Sequence, residues 1–209
     1  MPSLSRRDTL KILATASAAA ALGVSEDQLL QAGELAREAK DAETQGGAQY
    51  APKFFTPHEW ATLRELVDYI IPRDERSGSA TDAGVPEYID FLLADQTPAP
   101  RAMAPTAGQL LVRGGLAWLD RESHRRFGKT FVTCTGGEVK QVLDDIAWPA
   151  KARPEMSQGV AFFTRIRDLT AGGFWSSRMG VRDIQYMGNI FVAEWKGCPD
   201  EVVQRLGVD

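Results

Sequence analysis

Apolar residues recur along this chain at intervals of three and four, and strict alternation is almost absent. That period marks helices that turn one face to a core. Thr56-Pro57-His58-Glu59 reads as a capping box with proline at the first helical position. Trp60, Leu63, Val67 and Ile70 follow at helical spacing, and Pro72 ends the run. A turn-rich loop over 73–84 precedes a short helix, Pro86 to Leu93, with Tyr88, Phe91 and Leu92 expected inside. A proline-rich loop, Pro98 to Pro105, leads to a longer helix, Ala107 to Phe127, whose apolar side reads as Leu110, Leu111, Leu116 and Leu119. Thr135-Gly136-Gly137-Glu138 is a second capping box, opening a helix that buries Val139, Val142, Leu143 and Ile146. Ser157 is expected to cap a helix running to about Ala171, with Val160, Phe163, Ile166 and Leu169 inside.

Residues 172–197 are rich in glycine and aromatics and carry no clear period, while Val202, Val203 and Leu206 suggest a last short helix. No Asn-Gly or Asp-Gly hairpin signal occurs. The expected fold is all-α: a single domain over 54–209 of about six or seven helices with long loops. Residues 25–53 are polar and rich in Ala, Glu, Gln and Gly. Gln28 to Ala42 suits an exposed helix, but Gln45-Gly46-Gly47-Ala48-Gln49 is linker-like, so this region reads as a spacer.

The first 24 residues have a different character. Ser5-Arg6-Arg7-Asp8-Thr9-Leu10-Lys11 stands ahead of a soft apolar run, Ile12 to Val24. Arg6 and Arg7 with Ser5, Leu10 and Lys11 resemble a twin-arginine export signal, departing from it at Thr9, where Phe is commonest. The plainer alternative is a basic, Ala-rich amphipathic N-terminus of a cytoplasmic protein. The run of about 13 residues is too short to span a bilayer, which takes about 20. Small-x-small sites at Ala16-Ser17-Ala18 and Ala19-Ala20-Ala21 leave the cleavage position open. The twin-arginine route carries proteins that are already folded, so export to the periplasm is the expectation.

Composition narrows the chemistry. The 209 residues carry a net charge of −4. Arg6, Arg7 and Lys11 against Asp8 leave the remainder near −6. Such a chain has no general basis for gripping nucleic acid or anionic lipid. Hydrophobic content of 44% with five Trp suffices for one core. No Gly-x-Gly-x-x-Gly, phosphate loop or Gly-x-Ser-x-Gly elbow occurs. Cys134 and Cys198 lie far apart, and neither Cys-x-x-Cys nor Cys-x-x-Cys-His is present. His58, in the first turn of a helix, and His124, on a charged helix end, read as solvated residues rather than metal ligands. Glu87 with Asp90, and Asp144 with Asp145, are carboxylate pairs that suit acid/base work only if burial separates their pKa values, and surface charge is the plainer reading. No catalytic, cofactor-binding or metal-ligating residue is therefore assigned. Phe174, Trp175, Tyr186, Phe191 and Trp195 crowd a stretch that also holds Gly172, Gly173, Gly180, Gly188 and Gly197. Core packing is one reading; a partner-facing surface built on Trp175, Tyr186, Gly188, Asn189 and Trp195 is the other.

Several segments taken in order resemble the gluconate 2-dehydrogenase subunit 3 family. They are Phe55-Thr56-x-x-Glu59, Ile70-Ile71-Pro72-x-Asp74, Gly84-Val85-Pro86-x-Tyr88-Ile89-Asp90, Leu169-Thr170-x-x-Gly173-Phe174-Trp175, Tyr186-x-Gly188-Asn189 and Trp195-x-Gly197-Cys198-Pro199. The resemblance implies a small subunit without redox chemistry of its own. It would bind a large FAD-bearing catalytic subunit of the glucose-methanol-choline type and carry it out on its own signal. A multihaem cytochrome c often completes such complexes, so membrane association would come only through the complex. The resemblance also implies a disulfide at Cys198, either with Cys134 or with a cysteine of the flavoprotein, against an unpaired buried thiol. A free-standing periplasmic enzyme using Glu87 and Asp90, or a scaffold protein, are the competing classes.

Overall fold

The computed structural model describes residues 25–95, 106–186, 197 and 200–207. Eight α-helices occur among them, and no strand. In chain order these are α1 (Glu26–Thr44), α2 (Pro57–Ile70), α3 (Val85–Asp95), α4 (Ala107–Phe127), α5 (Gly136–Ala147), α6 (Ser157–Ser176), α7 (Arg178–Asp183) and α8 (Asp200–Leu206). Single 3₁₀ turns at Phe131–Thr133 and Pro154–Met156 lead towards α5 and α6. No helix among the described residues is long and apolar enough to cross a membrane.

The starts of α2 and α5 follow the chemistry of their caps. The Thr56 hydroxyl accepts from the Glu59 N–H at 3.3 Å, and the Glu59 carboxylate accepts from the Thr56 N–H at 2.8 Å. Each bond satisfies a donor that the first turn leaves without a partner. At α5 the Glu138 carboxylate accepts from the Thr135 N–H at 2.7 Å and from its hydroxyl at 2.8 Å. The Lys129 ammonium 2.8 Å away, together with these donors, holds the Glu138 carboxyl down to about 2. A third capping box, Thr106 with Gln109, opens α4. Helix α6 begins at Ser157 as expected, but Ser157 already has helical dihedrals and Met156 occupies the cap. It also runs past Ala171 to Ser176, through Gly172 and Gly173. Glycine weakens a helix locally. Packing keeps this one going: a Cβ on Gly173 would stand 2.8 Å from the Tyr88 ring.

Helix α6 is the hub of the fold and packs against α2, α3, α4, α5 and α7. Its tightest seam is with α4, where a Cβ on Gly115 would lie 1.9 Å from the Phe162 ring. The apolar side of α4 is rotated from the expected one. Leu110 is 58% exposed, and the buried line runs through Gln109, Val112, Leu116 and Leu119. Gln109 belongs there because its side-chain amide donates to the Leu93 carbonyl at 2.8 Å. Behind it, Glu122 accepts from both Arg125 and Arg126. The Arg125 hydrogen bond, with that of Arg126, holds the Glu122 carboxyl down to about 2. Arg126 continues to Asp145 at 2.6 Å and so ties α4 to α5.

Helix α3 is buried on all sides, with Val85, Ile89, Leu92 and Leu93 fully enclosed. It also takes Glu87 and Asp90 inside, correcting the surface reading of that pair. Asp90 accepts from the Tyr50 hydroxyl (2.6 Å) and from the N–H groups of Lys53 (2.8 Å), Phe54 (2.9 Å) and Phe55 (3.3 Å). A buried carboxylate persists where donors converge on it. Here they pin the whole 50–55 segment to α3. The segment 25–53 is thus no exposed spacer. Ser25 and Gln28 form a capping box, and α1 lies along α3 with Leu29, Ala32 and Ala36 buried. The spacing of three and four was present, but two of its three inner residues are alanines, which add little hydrophobic signal while allowing close approach. Their burial contributes modestly: about 1.5–3 kcal/mol for the leucine and less for each alanine.

Candidate functional site

Helix α6 ends at Ser176, and the chain turns at once into α7. The Ser177 hydroxyl makes this corner: it accepts from the Gly180 N–H at 3.0 Å and donates to the Phe174 carbonyl at 2.6 Å. Only glycine fits at 180, since a Cβ there would stand 2.1 Å from the Phe174 carbonyl oxygen. At the far end of α7, the Tyr186 N–H bonds the Val181 carbonyl at 3.1 Å and the Gln185 N–H bonds the Arg182 carbonyl at 2.9 Å. These two bonds are the Schellman motif. Its left-handed position is usually glycine, but here it is Gln185, at φ 53°.

The corner divides its aromatics sharply. Phe174 is 1% exposed and belongs to the core, where its ring meets Trp175 edge-on at 4.9 Å. Trp175 is 43% exposed, Ile184 53% and Tyr186 40%. Arg178 and Arg182 stand exposed beside them. From the opposite side, Arg76 reaches across from the 73–84 loop to the Asp183 carbonyl and its carboxylate. A Cβ on Gly78 in that loop would meet the Met179 side chain at 3.0 Å. Large apolar side chains on a rigid, glycine-tight turn with a charged margin are what a protein–protein contact uses as anchors.

Of the residues expected at a partner surface, Trp175 and Tyr186 sit at this corner. Gly188, Asn189 and Trp195 lie outside the described residues, as do Phe191, Cys198, Arg6 and Arg7. Gly173 and Gly180 serve internal packing against Tyr88 and Phe174 rather than a partner. Ile184 was missed, because a single isoleucine after a short helix gives no periodic signal. Cys134 is a half-buried free thiol, 3.5 Å from the Thr130 carbonyl.

Other groups with chemical potential have structural duties. His58 bonds Asp120 through Nε2 at 2.5 Å, and Asp120 also accepts from the Phe131 N–H, so the pair joins α2, α4 and the 3₁₀ turn. Asp90 spends both oxygens on the 50–55 segment. Glu87 is 2% exposed, with Lys40 at 3.4 Å from one oxygen and no hydrogen-bond partner at the other. Burial pushes its carboxyl above the ordinary range, against the opposing pull of Lys40. No group of three or more His, Cys, Asp or Glu among the described residues is arranged to hold a metal.

Residues 57–193 match the family model of gluconate 2-dehydrogenase subunit 3. The chain belongs to that family. The match spans α2 to α7 and includes the corner; α1 and the 50–55 segment precede it. Neither a curated protein nor a solved structure matches the chain. Membership makes the chain an accessory subunit of a dehydrogenase complex.

Proposed function

We propose that this chain is the non-catalytic small subunit that binds, stabilises and escorts an FAD-bearing catalytic subunit of the glucose-methanol-choline type, which acts on a sugar, polyol or glycoside. The observation that carries the reading is the family match over a body whose α6–α7 corner leaves Trp175, Ile184 and Tyr186 open to a partner. The partner, not this chain, holds the FAD. A multihaem cytochrome c often completes such assemblies, and membrane association would come only through the complex. Arg6 and Arg7 direct the complex through the twin-arginine route to the periplasm, where the alternatives for Cys198 are a disulfide with a cysteine of the flavoprotein, a disulfide with Cys134, which is a free thiol in this structure, or an unpaired thiol.

A partner that binds only the folded flavoprotein raises its apparent stability by mass action. The catalytic subunit expressed alone is therefore expected to be poorly soluble. The test is co-expression with this chain tagged, followed by pull-down and an absorbance scan. A co-purifying large subunit with flavin absorbance supports the reading, whereas a colourless, solitary, well-folded small protein overturns it. Replacing Arg6 and Arg7 by lysine in the same strain should leave the complex in the cytoplasm. Non-reducing electrophoresis of the purified complex reports the state of Cys198.

A further inference from the structure

Helix α1 lies outside the family match, yet it braces the corner from behind. Arg37 donates to the carbonyl of Ser176, the residue that follows Trp175. Asp41 accepts from Arg178, the first residue of α7, at 2.9 and 3.0 Å. Gly33 sits against the same junction, where a Cβ would be 3.9 Å from the Ser176 hydroxyl oxygen. Helix α1 therefore holds residues on both sides of Ser177, whose hydroxyl makes the turn. Along its other edge it is held by α3, through Lys40 beside the buried Glu87 and through Gly84, where a Cβ would be 3.5 Å from the Ala36 carbonyl oxygen.

The contact of α1 with α3 is the broadest between two helices among the described residues, but its fully buried apolar part is small. Leu29, Ala32 and Ala36 are its buried residues, and a cleft of about 230 Å³ opens beside them, lined by Gln28, Gln31, Leu35, Lys53 and Phe91. Elements with few buried apolar contacts open locally, well below the free energy of global unfolding. Local opening of α1 would give the chain two states, α1 docked and α1 released. In the docked state the Ser176 carbonyl and Arg178 are engaged and the Trp175 turn is fixed; in the released state both are free.

We propose that docking of α1 and binding of the catalytic subunit at the α6–α7 corner are coupled. The inference rests on the reading of that corner as the docking surface. The partner seats best on a corner that α1 has fixed, and its binding in turn holds α1 in place. By linkage, the factor by which docked α1 strengthens partner binding equals the factor by which the partner stabilises docked α1.

The experiment is amide hydrogen exchange over 26–44 in the full chain, alone and in complex with the co-expressed flavoprotein subunit. It is paired with affinity measurements on three variants. Exchange across α1 is expected to slow about tenfold in the complex, and Arg37→Ala to weaken binding about five- to tenfold. Ala36→Asp, which unseats α1 from α3 without touching the corner, should weaken it equally. Far-UV circular dichroism and the urea midpoint establish that the body of each variant remains folded. Unchanged α1 exchange in the complex, or full affinity in both α1 variants, overturns the coupling. Trp175→Ala separates the two ideas. If it keeps full affinity, the corner is not the docking surface; if it loses affinity while Arg37→Ala and Ala36→Asp do not, the coupling alone fails.

Discussion

Where α4 crosses α6, backbone meets ring with no room to spare, and the glycine at 115 is fixed by the Phe162 side chain that occupies the place of a Cβ. Where α1 lies along α3, alanines face the core, a cleft stays open, and a lysine reaches a buried glutamate. The first seam belongs to the part of the chain that matches the family; the second joins it to a helix outside the match. The difference teaches that the molecule joins its helices in two ways, by interlocked rings within the family body and by small residues and charges beyond it. Interlocked apolar surface is intolerant of change but permanent. The α1–α3 contact is broader, but it relies on small residues and charges rather than on interlocked rings.

Breaking the frame should have the largest effect. Gly115→Ala drives a methyl into the Phe162 ring, and overpacking of that kind costs about 3 kcal/mol. Urea unfolding would report it, and a loss below about 0.5 kcal/mol would mean that α4 and α6 part more easily than their geometry indicates. Next comes Asp90→Asn, which keeps the shape but removes the charge that gathers four donors. A loss of about 2 kcal/mol is expected, since hydrogen bonds to charged groups contribute about 1.5–3 kcal/mol. Hydrogen exchange should open residues 50–55 first, and uniform exchange across the chain would contradict their being pinned by this one carboxylate.

Two milder changes sharpen the contrast. Burial raises the Glu87 carboxyl, so the folded chain binds that proton more tightly than the unfolded chain does. Stability from this group is therefore full below the ordinary carboxylate pKa and declines as pH rises from there through the folded value. Glu87→Gln should make the protein more stable than the parent at about pH 7, with the gain vanishing near about pH 4, where the parent glutamate is already neutral. Parallel urea titrations at the two pH values check this, and a variant less stable than the parent at the higher pH would show that the Lys40 pair outweighs the burial cost. Smallest, Gln185→Gly should stabilise the corner by about 0.5–1 kcal/mol by relieving a left-handed residue, read as a small rise in melting temperature.

Much of the frame was legible beforehand. Caps at Thr56 and Thr135 and the exact span of α4 follow from local rules, because a capping box is satisfied within one turn whatever lies beyond it. The candidate site was only half legible. Trp175 and Phe174 are neighbours of the same chemical kind, and nothing in the letters separates the exposed one from the buried one. Rotation of α6 against α3 and α4 makes that choice. The burial of Glu87 and Asp90 was equally invisible, since the four donors to Asp90 and the lysine beside Glu87 arrive from residues 40–55, far away along the chain.

By itself, then, the sequence determined the helical class, the main helix starts and the absence of a dinucleotide or phosphate-loop motif, which rest on patterns within a few residues, and the family, which rests on the order of short segments along the chain. The tertiary structure alone decided that 26–44 is a packed helix rather than a spacer, that two carboxylates lie inside, and that Trp175, Ile184 and Tyr186 share an open corner braced by Arg37. The physical reason is that burial is a property of pairs of surfaces. A helix carries its period in its own residues, but only its neighbours fix which side of it meets water.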